Sequence, residues 1–299
     1  MKVFIIKVII WSILLIAPIL ICFYIYGISP NISNNQSINH KLYTSSQVAK
    51  SPLQVIAIGS SITLNNLYAP TIVAELDSSF YNFACSGLNI SSVQFMAEFY
   101  KKKYNYKTLI IASQIEDFNP EQAFTFPTER EFNMMYNQHY YLLSLFSPFK
   151  SLMPFTPINT DSTDLACQKY DVWGGVHLHI DKTNAEKGRW NATYKIHNKE
   201  NNYQSLERIC QLSRDNNISL IFAIPPYKRG FITEGEATVD YQKHINRCRY
   251  ILNSYNYQLY DFSEDPHFDE SHFADIIHLN EKGAILFTKL LCKQLNRKI

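Results

Sequence analysis

Short apolar segments that alternate with helical segments constrain the fold of this 299-residue chain more than any other feature. Such segments are typical of strands buried on both faces, and their alternation with amphipathic helices indicates a parallel sheet covered on both sides. We therefore predict an α/β fold, a three-layer α/β/α sandwich with a mostly parallel sheet. The predicted strands are 53–58, 79–84, 108–112, 218–224 and the short run at 258–262; the predicted helices are 62–76 with a break at Pro70, 90–102, 203–216, 235–252 and 280–295.

Residues 117–200 break this alternation. The stretch is rich in aromatic residues and contains Trp173-Gly-Gly-Val-His177. We interpret it as an insertion between the third and fourth strands. Two roles stay open at this point: it shapes a binding surface, or it is a structural lid without substrate contact.

The N-terminus has the pattern of a membrane anchor. Residues 8–26 form a run of 19 uncharged residues, about 28 Å as a helix, close to the ~30 Å hydrocarbon thickness of a bilayer. Lys2 and Lys7 precede the run, which predicts that the N-terminus lies in the cytoplasm. We therefore predict a cytoplasmic stub and transmembrane signal anchor over 1–30, a polar linker over 31–50, and an extracytoplasmic domain over 51–299.

The charge balance argues against a nucleic-acid partner. The chain has 28 basic and 26 acidic side chains, and Lys2 and Lys7 account for the difference. No basic stripe remains in the predicted domain, and no nucleic-acid-binding motif is present. His177 and His179 lack carboxylate or cysteine partners at ligand spacing, so no metal site is predicted. The glycines form no phosphate-binding or dinucleotide fingerprint, so no cofactor is predicted either.

A serine pair lies where the first predicted strand meets the first helix. The chain there reads Gly59-Ser60-Ser61-Ile62. Ligands of open α/β sheets collect at the carboxyl ends of the strands, and helix N-terminal amides can stabilise a developing oxyanion. A serine at this position is a candidate nucleophile. The alternative is a helix N-cap, the commoner role of serine at a helix start.

An acid and an imidazole lie near the other end of the domain. Asp275 stands three residues before His278, ahead of the last predicted helix. At this spacing the carboxylate can hold one ring nitrogen of the histidine, which leaves the other free to take a proton from a hydroxyl. For a lone pair of this kind, a surface loop with incidental polar groups is the alternative.

In this order, and at these two ends of an α/β domain, the two motifs resemble those of the SGNH (GDSL-type) hydrolase superfamily. The resemblance covers roughly 53–112 and 203–296 and implies an SGNH-type fold. It also implies that Ser61 is the nucleophile, His278 the general base and Asp275 its orienting acid.

The resemblance extends to the oxyanion hole. Cys85-Ser-Gly87 follows the second strand and is similar to the family's second conserved block, whose glycine amide helps to bind the oxyanion. The resemblance thus implies oxyanion donors at the amides of Ser61 and Gly87. The family's third donor is an asparagine after the third strand, where this chain has Gln114 as a candidate substitute. Loss of one such donor typically costs about 10²–10³ in turnover.

Ser60 also departs from the family pattern, which has aspartate before the nucleophile. The Gly-Ser-Ser sequence and the segment around His278 are similar to a membrane-anchored branch. That branch includes the D-alanyl transfer protein of teichoic acid synthesis and the alginate acetylation proteins.

Three polar residues follow the fourth strand, Tyr227, Lys228 and Arg229. They should face the same rim as the serine and are candidates for holding an anionic substrate. The alternative is a solvated loop.

The resemblance implies a membrane-anchored enzyme that transfers acyl groups through a serine to an extracytoplasmic cell-envelope glycan. A membrane-bound O-acyltransferase is the implied partner and supplies the acyl group. Two alternatives stay open: an acylesterase that removes acyl groups from glycan, and a non-catalytic binding or scaffold protein that kept the fold.

Overall fold

The computed structural model describes residues 1–26, 33, 35–48, 52–120, 124–136, 168–180, 200–228 and 236–296. The chain divides into two compact units, one of Met1–Gln47 with Pro127–Ile158 and one of Val48–Phe126 with Asn159–Ile299. We describe each unit by itself, and the predicted motifs all lie in the second.

The described elements follow one another in this order. They are α1 (Lys2–Tyr26), α2 (Gln36–Gln47), β1 (Val55–Ala57), α3 (Ser61–Asn66), α4 (Ala69–Leu76), β2 (Phe80–Asn82), α5 (Ile90–Lys101), β3 (Thr108–Ala112), a 3₁₀ turn (Ile115–Phe118), α6 (Glu129–Tyr136), β4 (Gln168–Tyr170), β5 (Val176–Leu178), α7 (Glu200–Asp215), β6 (Ser219–Ile224), α8 (Glu236–Ser254), β7 (Leu259–Asp261), a second 3₁₀ turn (Glu270–His272) and α9 (Glu281–Asn296).

Five strands of the second unit form one parallel sheet in the order β2-β1-β3-β6-β7. In the register of the central strands, Val55 lies opposite Phe80 on one side and Thr108 on the other. Every neighbouring pair in this sheet is parallel, so all five carboxyl ends meet at one edge. The predicted α/β fold with a parallel sheet is confirmed.

The side chains of the strands alternate between two buried faces. Val55 and Ala57 point to one face and pack with residues of α4 and α9, while Ile56 between them is also fully buried. Helix α9 contacts both α3 and α4, and α7 contacts both α5 and α8. Because both faces are apolar and covered, the strands are continuous hydrophobic runs.

The first predicted helix is two helices. The break lies at Leu67–Tyr68, and Pro70 stands in the first turn of α4, where its missing N–H costs no helical hydrogen bond. The short α3 that results begins at Ser61 and ends at Asn66, so it presents polar side chains at both of its ends.

Helix α1 covers Lys2–Tyr26, and its side chains are described up to residue 18. Among the residues that the structure describes, no helix is both long and apolar enough to cross a membrane. The membrane-spanning helix predicted for residues 8–26 is therefore not found.

Part of the predicted linker is helical instead. Helix α2 occupies residues that we predicted as an aperiodic segment of 31–50, and it contacts α6 of the same unit. Asn35 accepts hydrogen bonds from the amides of Ser37 and Ile38 (2.9 and 3.3 Å) and so caps the helix. Ile38 and Leu42 are buried at i,i+4 spacing. This short apolar pair within a polar sequence was the signal that we missed.

Much of the predicted insertion lies outside the described residues, namely 121–123, 137–167 and 181–199. Within the described part, β4 and β5 form an antiparallel hairpin. The Asp171 carboxylate shapes its turn by accepting hydrogen bonds from the amides of Trp173 and Gly175 (both 2.8 Å).

Replacing Gly283 with alanine should destabilise the protein. In a helix this change usually stabilises by up to ~1 kcal/mol. Here an added Cβ would overlap the backbone carbonyl of His272. We expect the free energy of unfolding in urea to fall by about 1–3 kcal/mol.

Lys293→Ala in the same helix is the control, because Lys293 is exposed. Its effect should stay within ~0.5 kcal/mol. A stabilised Gly283→Ala variant would contradict the close approach of α9 to the carbonyl of His272.

Candidate active site

Two adjacent serines divide the two roles that the sequence left open. Ser60 is the N-cap of α3, and its hydroxyl accepts a hydrogen bond from the amide of Ile62 (3.1 Å). Ser61 is the first helical residue, and its hydroxyl projects toward the loop before α9. The cap is therefore supplied by Ser60, and the hydroxyl of Ser61 is available for chemistry.

The structure brings Ser61, His278 and Asp275 together in a hydrogen-bonded chain. Nε2 of His278 lies 2.8 Å from Oγ of Ser61, and Nδ1 lies 2.7 Å from Oδ2 of Asp275. With the Nδ1 proton directed to the carboxylate, Nε2 can accept the serine proton. This is the geometry of an activated nucleophile with an oriented base.

Asp275 is held in its ionised form. Burial by itself would raise its pKa, but the hydrogen bond from the His278 ring and the charge of that ring hold the pKa below its usual value. The second carboxylate oxygen accepts hydrogen bonds from the amides of Ile277 and His278 (2.9 and 2.6 Å). A buried carboxylate with this many donors keeps its negative charge beside the imidazole.

The loop that carries these two residues is closed on itself. Phe273 and Leu279 form an antiparallel bridge, and the carbonyl of His278 accepts a hydrogen bond from the amide of Ala274 (2.8 Å). Asn280 then caps α9 by accepting a hydrogen bond from the amide of Gly283 (3.0 Å). The position of His278 is thus fixed by backbone pairing on both of its sides.

Asn66 joins this loop to the helix that carries the nucleophile. Its Oδ1 accepts a hydrogen bond from the amide of Leu279 (2.9 Å), and its Nδ2 donates to the carbonyl of Ile277 (3.3 Å). The two bonds flank His278, and Asn66 lies on the same short helix as Ser61. Sequence reasoning missed this residue, since a single asparagine within a helix carries no distinctive signal.

The predicted oxyanion donors Ser61 and Gly87 lie on neighbouring segments. The segments after β1 and β2 run side by side, with the amide of Cys85 donating to the carbonyl of Gly59 (3.0 Å). Gly87 is exposed and has φ 76°, a left-handed conformation that favours glycine. Ser61 contributes the amide of the first helical residue, which has no acceptor within its own helix. Both amides therefore remain candidates for an oxyanion hole.

Gln114 is placed differently from our prediction. It is fully buried, and its Nε2 donates to the carbonyls of Pro225 and Pro226 (both 3.4 Å). Both hydrogen bonds join Gln114 to the segment after β6, so in this structure its Nε2 is directed to that segment.

The prediction that three residues hold an anionic substrate has a different outcome for each of them. Tyr227 is buried, and its hydroxyl accepts from the amide of Ile115 (3.2 Å) and donates to Glu116 (2.9 Å), so it does not lie exposed at the rim as predicted. Lys228 is half-buried, and its role in substrate binding stays a prediction. Arg229 lies outside the described residues.

Two acidic residues of the 3₁₀ turn after β3, Glu116 and Asp117, were not predicted as part of the site. Burial raises the pKa of Glu116 to about 7 and that of Asp117 to about 6, and the charge of His278 lowers both. One oxygen of Glu116 accepts from Tyr227, while the other, Oε1, is buried without a partner among the described residues. The sequence signal for this pair was its position directly after β3, at the carboxyl edge of the sheet.

The sequence predicted no metal site at His177 and His179. In the structure each of these histidines contacts one carboxylate. Nε2 of His177 lies 2.9 Å from Asp171, and Nδ1 of His179 lies 3.0 Å from Glu281. No group of three residues able to hold a metal occurs in the part of the chain that the structure describes.

A family comparison relates the C-terminal part of the chain to known proteins. Residues 178–293 match the family described as DltD protein. The match contains Asp275 and His278, and it ends before the last residues of α9. No curated protein matches the chain.

Several solved structures resemble the chain at low identity. An inferred acylhydrolase of Bacteroides fragilis is 10% identical, with 86% of this chain and 94% of that chain covered and a TM-score of 0.46. The acetyl xylan esterase AlAXEase is 14% identical, with 83% and 100% covered and a TM-score of 0.45. An inferred GDSL-like lipase of Parabacteroides merdae is 11% identical, with 83% and 98% covered and a TM-score of 0.45.

Replacing Asn66 with alanine should slow any reaction at Ser61. It removes both hydrogen bonds to the loop around His278 and leaves the amide of Leu279 unpaired in a buried place. We expect a loss of about 1–3 kcal/mol in stability and a fall in kcat of about 10–100-fold with little change in KM, because Nε2 is no longer held at Oγ.

Kinetics with an activated ester and urea unfolding measure these two effects. Asn65→Ala, one residue earlier in α3, is the matched control, since no described hydrogen bond joins Asn65 to that loop. An Asn66→Ala variant with unchanged kcat would show that the loop keeps its position without this tie.

Replacing Glu116 with glutamine should stabilise the protein most at alkaline pH. The folded state raises the pKa of Glu116 from 4.5 to about 7. Its contribution to stability is therefore full below pH 4.5 and is lost as the pH rises through about 7. Glutamine cannot ionise, so the variant should gain on the order of 2 kcal/mol over the wild type at pH 8 and much less at pH 5.

Urea unfolding of both proteins at the two pH values gives the comparison. Glu270→Gln, at an exposed glutamate, serves as the control for removing a carboxylate. A stability difference for Glu116→Gln that is equal at pH 5 and pH 8 would contradict a raised pKa.

Proposed function

We propose that this chain, an SGNH-type protein related to the teichoic acid D-alanylation protein DltD through residues 178–293, transfers acyl groups through Ser61 to hydroxyl groups of a cell-envelope glycan. The observation that carries the proposal is the continuous hydrogen-bonded chain of Ser61, His278 and Asp275. The relation to DltD supports acyl transfer as the reaction class.

The geometry supports a two-step reaction. In the first step, Oγ of Ser61 attacks the acyl carbonyl while Nε2 of His278 takes the hydroxyl proton. The amides of Ser61 and Gly87 stabilise the oxyanion, and the leaving group departs with the proton from His278. In the second step, His278 takes the proton of an acceptor hydroxyl, which attacks the acyl-serine ester. The bond to Oγ of Ser61 then breaks, and Oγ receives the proton from His278.

The second candidate is an acylesterase, in which water replaces the sugar hydroxyl. It is favoured by the partial exposure of Ser61, because a half-exposed serine can be reached by water. Both reactions use the same acyl-enzyme, so they differ only in whether a sugar hydroxyl or water attacks the acyl-serine ester.

The proposal includes an acyl donor and a location. A membrane-bound O-acyltransferase would supply the acyl group, and the glycan substrate places the reaction outside the cytoplasm. Co-purification of an acyltransferase with the full chain, and protease accessibility of the second unit from outside the cell, would test the two parts separately.

Intact-mass analysis of the full chain after exposure to p-nitrophenyl acetate tests the nucleophile. We expect a single acetyl adduct on the wild type and none on Ser61→Ala. Ester turnover should fall by at least about 10³-fold in the variant, since the acyl-enzyme cannot form.

His278→Ala should also abolish the adduct, whereas Ser60→Ala should keep Ser61 reactive at a reduced rate. Adding a polyhydroxyl acceptor then separates transfer from hydrolysis by the product that appears. Equal labelling of the wild type and Ser61→Ala, or no adduct on either, would overturn the proposal and favour a binding protein with this fold.

A further inference from the structure

The side chain of Thr63 joins the helix that carries the nucleophile to the central strand β3. Thr63 is the third residue of α3, two positions after Ser61, and it is fully buried. Its hydroxyl donates a hydrogen bond to the carbonyl of Ala112 (2.6 Å) and accepts one from the amide of the same residue (3.0 Å). One side chain thus binds both backbone polar groups of Ala112.

Ala112 requires such a partner because β1 ends before it reaches this level of the sheet. Lower on β3, the carbonyl of Ile110 still accepts a hydrogen bond from the amide of Ile58 (3.1 Å). Beyond Ile58 the chain turns at Gly59 and enters α3. Ala112 is fully buried, so its amide and carbonyl would be costly to leave unpaired. The hydroxyl of Thr63 therefore takes the place of a further residue of β1.

Gly59 allows this close approach. A Cβ added at position 59 would overlap the hydroxyl and the Cβ of Thr63. The absence of a side chain there leaves room for Thr63 to reach β3. Ser61 lies midway between these two residues, so the nucleophile sits in a five-residue stretch that is packed tightly at one end and hydrogen-bonded to the sheet at the other.

The backbone of Thr63 is held from the other neighbour of β1. Asn82, the last residue of β2, is fully buried, and its Nδ2 donates a hydrogen bond to the carbonyl of Thr63 (3.3 Å). Its Oδ1 accepts one from the amide of Ala84 (3.0 Å), in the segment that leads to Gly87. Thr63 is thus fixed to β3 through its side chain and to the end of β2 through its main chain.

We propose that Thr63 is a positioning residue for the nucleophile: its hydroxyl, by binding both backbone groups of Ala112, fixes the depth and rotation of α3 and with them Oγ and the amide of Ser61. This inference rests on the proposed function. His278 and Gly87 lie on other segments, so a shift of α3 would change both the distance to the base and the alignment of the proposed oxyanion donors. Both act in the transition state, so the loss should fall on kcat.

Thr63→Val removes the hydroxyl and keeps the branched shape of the side chain. It leaves the amide and carbonyl of Ala112 unpaired in a buried place, so the urea midpoint should fall and α3 should shift. A displacement of about 1 Å can cost ~10²-fold in rate. With p-nitrophenyl acetate and the full chain, we expect kcat to fall by about 10²-fold with little change in KM.

Thr63→Ser makes the opposite change, because it keeps the hydroxyl and removes a buried methyl group. The urea midpoint should fall here too. We expect kcat to stay within about threefold of the wild type, since both hydrogen bonds to Ala112 can still form. If Thr63 served stability alone, kcat would follow the urea midpoint in both variants; in the positioning role it follows the hydroxyl.

Thr288→Val is the matched control. Thr288 is also fully buried, and its hydroxyl accepts a hydrogen bond from the amide of Tyr68 (2.9 Å). The same substitution thus removes a threonine hydroxyl bound to the main chain, but this hydroxyl lies on α9 and holds the N-cap of α4. Its kcat should stay within about threefold of the wild type even where the urea midpoint falls.

The possible results are distinct. Loss of kcat in Thr63→Val with retention in Thr63→Ser supports the positioning role. Retention in Thr63→Val, a loss of about tenfold or more in Thr63→Ser, or an equal loss in Thr288→Val overturns it, while the adduct on Ser61 keeps that residue as the nucleophile. Because Thr63→Ser keeps the hydrogen bonds, it tests the role even if Thr63→Val does not fold. A wild type that forms no adduct at Ser61 overturns the proposed function, and the inference with it.

Discussion

The hydrogen bond between Ser61 and His278 joins side chains that are 217 residues apart in sequence, and it depends on the parallel order of the sheet. Since all five strands end at one edge, the turn after β1 and the loop before α9 can meet there. The short helix α3 then sets the distance, with Ser61 at its start and Asn66 tying the loop from its end. Oγ and Nε2 are thus held together by the side-chain hydrogen bonds of Asn66 to the loop as well as by their own contact.

Three carboxylates interact with the charge of His278, and their environments give them different pKa values. Asp275 has a lowered pKa because His278 and two amides stabilise its charge against burial. Burial raises the pKa of Glu116 and Asp117, although the charge of His278 opposes that shift. Asp275 therefore stays ionised and orients the imidazole, whereas burial raises the pKa of Glu116 to about 7 and that of Asp117 to about 6. Differences in burial and hydrogen bonding thus give side chains of the same chemical type different pKa values.

Expectations that depended on a pattern within one segment of the chain were more successful than those that depended on contacts between distant segments. The strands were predictable because a buried parallel strand is a continuous apolar run. Helix α2 within the predicted linker was not expected, because one apolar pair, Ile38 and Leu42, is too short a pattern to stand out in a polar segment. Gln114 and Tyr227 lie directly after the strands that we predicted. Their side chains, however, form hydrogen bonds with Pro225 and Glu116, respectively. Strand order indicates the edge a residue reaches, whereas its rotamer depends on neighbours remote in sequence.

The sequence by itself determined the alternation of strands and helices, the serine turn after β1 and the spacing of Asp275 and His278, because each of these is local along the chain. Only the tertiary structure decided that Asn66 fixes the loop, that Gln114 donates to the segment after β6, and that Ser60 rather than Ser61 caps the helix. These contacts join distant segments. Each requires a buried polar group to find its partner in space, which depends on packing that no local pattern records.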